Sequence, residues 1–227
     1  MSFLTPVEPP ASLTDRVVAD LRRDILACRL VPGETLSEAA TAARLNLGKA
    51  PVRAALARLA DEGLVQAQPR RGWVVSLVTV RDIHEVFDLR LLLEPEAARR
   101  AAGRVDAKAL ADLDALCACG YRPDDEDSAL AFLEANKAFH VAVADLSGNA
   151  RLARQIGRLL DESTRMLVLG LRRRDRTGEM SHEHHALTEA LALGRAEEAA
   201  RIMREQVSAS RAMVLSALTS PDAGISI

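Results

Sequence analysis

LSEAATAARLNLGKAPVRAALARLADEGLVQAQPRRGWVV, residues 36–75, reads as a helix, a tight turn, a second helix and a two-stranded hairpin. Ser37 is placed to cap the first helix, with Glu38 in its first turn, where a carboxylate complements the helix dipole. Asn46-Leu47-Gly48 breaks that helix. The second starts at Lys49 or Ala50, and Pro51 falls in its first turn, where a missing N–H costs nothing. Val52, Leu56 and Leu59 share one face at helical spacing, while Lys49, Arg53 and Ala57 share another at steps of four. A short helix that buries one side and shows small and basic residues on the other fits a DNA major groove. Gly63 ends it. Leu64–Gln68 and Trp73–Leu77 read as strands, with Pro69-Arg70-Arg71-Gly72 as the turn between them. Two arginines at a hairpin tip suit phosphate contact or minor-groove insertion.

These residues closely resemble the winged helix-turn-helix of GntR-family transcription regulators. The resemblance is carried by Pro32-Gly33, Leu36, Ala42 to Leu45, Pro51-Val52-Arg53, Ala55-Leu56, Leu59, Glu62-Gly63-Leu64-Val65 and Arg71-Gly72. The family usually has Ser-Arg-Thr before the Pro-Val-Arg, where this chain has Gly48-Lys49-Ala50, and Glu after that arginine, where it has Ala54. Lysine in place of arginine loses the two-pronged fork that reads guanine, which leaves room for an unusual operator. The residues expected to meet DNA are Ser37, Lys49, Ala50, Arg53, Arg70, Arg71 and Gly72.

Composition sets the frame. The 227 residues suffice for two modest domains, 48% of them hydrophobic but only 3% aromatic, and the Ala/Leu richness favours helix. Net charge is −2, so the whole molecule is no polybasic binder. Residues 1–78 hold 10 Lys+Arg against 8 Asp+Glu, and the remainder 20 against 24. DNA affinity therefore has to come from a local patch on the N-terminal module. Cys28, Cys117 and Cys119 make no disulfide framework and read as small packing residues in a reducing compartment. No signal-peptide pattern and no charge-free spanning segment is evident, so the expectation is a cytoplasmic protein with no membrane partner.

The expected organisation is mainly α. Residues 1–11, with Pro6, Pro9 and Pro10, form a disordered arm. Residues 12–78 form the winged helix-turn-helix, three helices plus the β-hairpin, its first helix running from about Leu13 to Cys28 under Ser12 or Thr14. Residues 79–220 form an all-α bundle of six or seven helices, and 221–227 a loose tail. Thr79 caps the first bundle helix, and Pro95 is expected to kink it near Leu91. Helices follow over Asp106–Cys119, from Asp124 or Asp125 to Leu146, over Asn149–Arg174, Met180–Leu193 and Ala196–Leu218, with a charged turn at Arg172–Gly178.

Within the bundle a few polar residues stand on apolar helix faces. Asn136 and His140, four apart, project together. His184 is followed by Leu187 and Leu191 on its own side, Gln206 lies on the last helix, and Arg90 sits among Leu89, Leu92 and Leu93. By helical phase, Glu183 turns away if His184 turns inward, and His185 lies about 100° round. This part resembles the effector-binding FCD domain of the FadR subfamily. The carriers are Arg90 with Glu94, Asn136-x-x-Phe139-His140, Ser147-Gly148-Asn149, Glu183-His184 with Leu187 and Ala190-Leu191, and Ala199-Ala200 before Met203.

The resemblance implies a divalent metal, zinc or nickel, on Asn136, His140 and His184, helping to bind a carboxylate effector in a pocket completed by Arg90 and Gln206. Gln206 stands where the family has its last histidine, and a carboxamide is a poor ligand for such ions. The function expected is a ligand-responsive transcriptional regulator, a repressor by preference, acting as a homodimer on a palindromic operator in duplex DNA. Two alternatives stay open: an all-α metal-dependent hydrolase or isomerase using His140 and His184, and a ligand-blind DNA-binding protein with a degenerate pocket.

Overall fold

The computed structural model describes residues 12–69, 72–104, 106, 108, 111, 115, 122 and 125–219. The chain divides into two compact units, residues 1–77 and 78–227. The expected N-terminal arm, the tail from residue 221, Arg70, Arg71, Cys117 and Cys119 lie outside the described residues, as does most of the helix expected over Asp106–Cys119.

In the first unit, α1 (Leu13–Leu26) starts at Ser12, whose hydroxyl accepts the Asp15 N–H while the Asp15 carboxylate accepts the Ser12 N–H. α2 (Glu38–Leu45) is capped by Ser37 and closed by Asn46 in the left-handed region, at φ 52°. α3 (Lys49–Asp61) follows after Gly48, with Pro51 in its first turn. The apolar faces of the three helices meet over Val17, Leu21 and Ile25 of α1, Ala42 of α2, and Val52, Leu56 and Leu59 of α3, and Val65 and Val75 of the sheet close this core.

The sheet departs from the sequence expectation. β2 (Val65–Gln68) and β3 (Gly72–Val75) form the hairpin, but a third strand, β1 (Thr35–Leu36), pairs antiparallel with β3, giving the order β1-β3-β2. Leu36 lies opposite Trp73, and Thr35 opposite Val74. Two residues are too few to leave an alternating pattern in a sequence, so this strand was unreadable there. Its presence explains Gly72. That residue sits at φ 90°, and an added Cβ would stand 3.0 Å from the Leu36 carbonyl oxygen. Only glycine tolerates both the dihedral and the approach.

The described residues of the second unit form helices and the turns between them. α4 (Val80–Ala101) starts at Thr79, which exchanges hydrogen bonds with Asp82, and continues through the buried Pro95. α5 (Glu126–Leu146) is capped by Asp125, α6 (Ala150–Leu171) by Asn149. α7 (Thr177–Ala192) begins a turn earlier than the Met180 start expected, which shortens the charged turn, and α8 (Ala196–Thr219) completes the bundle. α4 packs against α8, α6 and α5, while α7 rests mainly on α8. Close helix packing is visible at Gly170, where an added Cβ would stand 2.8 Å from Met213 Cε.

Candidate functional site

Two candidate sites stand out, an exposed face in the first unit and an interior cavity in the second. In the first, α3 buries Val52, Ala55, Leu56 and Leu59, and this orientation leaves Lys49, Ala50, Arg53, Ala54 and Ala57 exposed. Ser37 and Gly72 are exposed as well. Arg53 does not hang free. Its Nε donates to both Glu38 oxygens at 2.9 and 3.1 Å, and Nη2 donates to Oε2 at 2.8 Å. Trp73 Nε1 donates to Glu38 Oε1 at 3.3 Å. The Arg53 hydrogen bonds, then that of Trp73, hold the Glu38 carboxyl below its ordinary range. Glu38 thus ties the recognition-type helix α3 to the wing strand β3, a role its sequence position alone, as a first-turn carboxylate, did not reveal. Other basic residues of the unit are engaged elsewhere: Arg58 with Asp15, Arg22 with Glu62, and Arg44 with Asp24.

In the second unit, Arg90 of α4, Asn136 and His140 of α5, His184 of α7 and Gln206 of α8 line one interior cavity, so the five side chains singled out in the sequence meet. Leu167, Met180, Glu183 and Ser210 complete the lining. The free space is about 10 Å³, room for roughly one water. All five polar residues are buried. The organising group is Glu94, buried to 1% exposure on the same helix as Arg90. Its Oε1 accepts from Arg90 Nε at 2.6 Å, and its Oε2 lies 2.6 Å from His140 Nδ1. Arg90 Nη1 also donates to Ser163 Oγ at 3.2 Å. Burial alone would push the Glu94 carboxyl up, but the charges and hydrogen bonds of Arg90 and His140 outweigh it and bring the group down to about 2. His184 stacks on Phe139 at 4.2 Å between ring centroids, and its ring lies 5.5 Å from that of His140.

Glu183 corrects one expectation. It does not turn away from the site but lines the cavity beside His184, with its side chain 26% exposed, and accepts from Arg176 Nη2 at 2.6 Å. Glu183 and His184, about 100° apart on α7, both border the cavity. Burial pushes the Glu183 carboxyl up, against the pull of Arg176. Arg176 is itself buried, shared between Glu179 and Glu183. Three carboxamide atoms of cavity-lining residues have no hydrogen-bond partner: Asn136 Oδ1, Gln206 Oε1 and Gln206 Nε2.

The donor set does not fit a tightly held zinc or nickel ion. It offers two imidazoles, two carboxamides, which are poor ligands for such ions, and the Glu183 carboxylate, already held by Arg176. Among the described residues no three His, Cys, Asp or Glu side chains are grouped so as to share a metal.

Comparison with known proteins assigns both units. The sequence model for bacterial regulatory proteins of the gntR family matches residues 13–75, and that for the FCD domain matches residues 85–209. The chain belongs to the GntR family. Among curated members, the HTH-type transcriptional repressor RspR of Escherichia coli K12 is 34% identical over 105 residues, 46% of either chain. The chain thus spans about half the length of that relative. The HTH-type transcriptional repressor GlaR of the same organism is 29% identical over 201 residues, covering 82% of this chain and 89% of GlaR. A GntR protein of known structure from Rhodococcus sp. RHA1 superposes with a TM-score of 0.71 at 25% identity, covering 91% of this chain and 99% of the other. McbR/YncC of Escherichia coli shares the fold with the same TM-score at 23% identity.

Proposed function

We propose that this GntR-family chain is a ligand-responsive DNA-binding transcriptional regulator, a repressor, whose helical unit senses a small organic acid. The observation that carries the reading is the interior site. Five polar side chains from four helices meet inside an Ala/Leu bundle, with three of their atoms left without partners. Each such atom costs about 1–3 kcal/mol if nothing satisfies it, so an enclosure of this kind is built to receive something. Relatives named as repressors support the direction of control. The metal-assisted reading of Asn136, His140 and His184 is the weaker one, because of the donor set, and the acid is held here by side chains directly. No helix of the described residues is long and apolar enough to cross a membrane.

DNA is met by the exposed face of α3, with Lys49, Ala50 and Arg53 toward base edges, and by Ser37, Gly72, Arg70 and Arg71 toward the backbone. One winged module covers too little duplex for a tight site, so the acting species is a homodimer on a palindrome. Leu89 and Leu92 of α4, 44% and 70% exposed, offer an apolar patch for the second copy.

The cavity as it stands is too small for an organic acid, so binding has to widen it. α7 rests mainly on α8, and it is the wall expected to move. An effector regulates only through its different affinity for the narrow and widened arrangements. His184 rides on that wall. The His184→Ala protein is therefore expected to remain on its operator at effector concentrations that release the wild type, measured by fluorescence anisotropy of labelled duplex. Equal release by the variant would place the sensing site elsewhere.

The wing gives a separate expectation. Replacing Arg70 and Arg71 together by serine is expected to weaken binding to all sequences alike and to reduce the salt dependence, the slope of log K against log salt falling by about 1–2. A change of base preference at one operator position with the salt slope intact would mean that the wing reads bases.

A further inference from the structure

We infer that the ligand of the interior site is an α-amino acid or a close analogue, a zwitterion whose ammonium group is received by Asn136, Glu183 and Gln206. The inference deepens the proposed acid-sensing role and rests on the interior cavity being the effector site. Two observations lead to it, one from charge and one from hydrogen bonding.

The two guanidinium groups at the site are already matched by carboxylates. Arg90 is matched by Glu94 at 2.6 Å, and Arg176 by Glu183 at 2.6 Å. Glu94 is in effect a resident carboxylate: one of its oxygens takes Arg90 and the other faces His140. An acid carrying only negative charge would find both guanidinium groups already paired with carboxylates, and a buried charge is costly unless it gains a partner of its own. A zwitterion brings its own compensating charge.

The hydrogen-bonding capacity points the same way. Asn136 Oδ1 and Gln206 Oε1 are acceptors without partners, contributed by α5 and α8. The Glu183 carboxylate adds a third set of acceptors from α7, on the same cavity wall. A bare carboxylate oxygen meeting these atoms would set lone pair against lone pair. An ammonium group has three N–H donors and no acceptor, which suits three acceptors on three helices. The remaining orphan, Gln206 Nε2, is a donor, and with the Arg90 guanidinium it is available to the carboxylate end. Exchanging the two ends of the Gln206 carboxamide leaves this count unchanged, because both of its atoms lack partners. Glu183 also links binding to movement. An ammonium on its carboxylate competes with Arg176, the residue that precedes α7 and holds its first turns through Glu179 and Glu183.

The test uses the full-length protein and named probes. The common L-amino acids are screened one by one by thermal shift, alanine, aspartate and glutamate beside propionate, succinate and glutarate, with zinc chloride and nickel chloride alone as further arms. Hits are titrated by calorimetry. Expected is saturable binding of an amino acid at one per chain, with its amine-free counterpart ten- to a hundredfold weaker, the loss of one charge-assisted contact. Glu183→Gln is expected to weaken the amino acid by a similar factor. Gln206→Leu, which removes orphaned polar atoms and so is expected to fold at least as well as wild type, is expected to erase the preference for the amine. Amine-free acids binding as tightly as their amino counterparts would overturn the inference while leaving the acid-sensing role in place. One zinc or nickel per chain, lost in His184→Ala, would overturn it in favour of a metal centre. No binding by either the amino acids or the plain acids would overturn the inference and the acid-sensing role together.

Discussion

Glu94→Ala is expected to be the most damaging single substitution in the helical unit, costing about 3–5 kcal/mol of stability, because it leaves the Arg90 guanidinium buried without its counter-charge. Arg90 and Glu94 are 2% and 1% exposed, so solvent cannot take over the lost partner. His140 loses its Nδ1 partner in the same step. Urea unfolding followed by circular dichroism measures the effect, and a loss under 1 kcal/mol would mean that water or a rearranged side chain replaces the carboxylate. The same group sets an acid limit. Its carboxyl lies at about 2 in the folded protein against an ordinary 4.5, so its contribution is fully present above pH 4.5 and is lost as pH falls through about 2. Wild type is expected to lose stability over that window. Glu94→Gln, having no charge to titrate, is expected to show a flatter profile between pH 4.5 and 3.

Arg53→Ala is expected to cost about 1–3 kcal/mol of specific operator binding, a five- to 150-fold loss, and to relax base preference at the position it reads. Lys49→Ala is expected to cost less, since an ammonium makes no bidentate fork. Arg53 is held by Glu38, which also accepts from Trp73. On DNA the arginine either keeps Glu38 as a brace or leaves it for a base. Glu38→Gln separates the two, lowering specificity in the first case and raising affinity in the second. Gel shift on a selected operator measures both substitutions, and unchanged specific binding by Arg53→Ala would remove α3 from the reading role.

Much of this was legible in the sequence because the deciding signals are local. The helical spacing of Val52, Leu56 and Leu59 gave α3 and its exposed basic face, Ser37 and Thr79 announced two helix starts that the structure places at those caps, and of Ser12 and Thr14 it is Ser12 that caps α1. Stranded polar residues on apolar faces gave Arg90, Asn136, His140, His184 and Gln206, which do line one cavity. What the sequence hid depends on contacts between distant segments. β1 is two residues long and exists only by pairing with β3. The Arg53–Glu38–Trp73 linkage joins residues 15 and 35 positions apart. Glu94 was visible as a neighbour of Arg90 on the helix, but its second bond, to His140 46 residues away, is what makes it the centre of the site. Glu183 was turned outward by an idealised helical wheel, which treats a wall as a line.

The central claim, that this chain regulates by reading duplex DNA as a two-fold dimer, is most directly tested by selecting binding sites for the purified full-length protein from a randomised duplex library. The account predicts enrichment of one palindromic motif with half-sites about one helical turn apart, roughly 10 base pairs centre to centre, and its loss in Arg53→Ala. Selection yielding no shared motif, or a motif that Arg53→Ala enriches equally well, would contradict it.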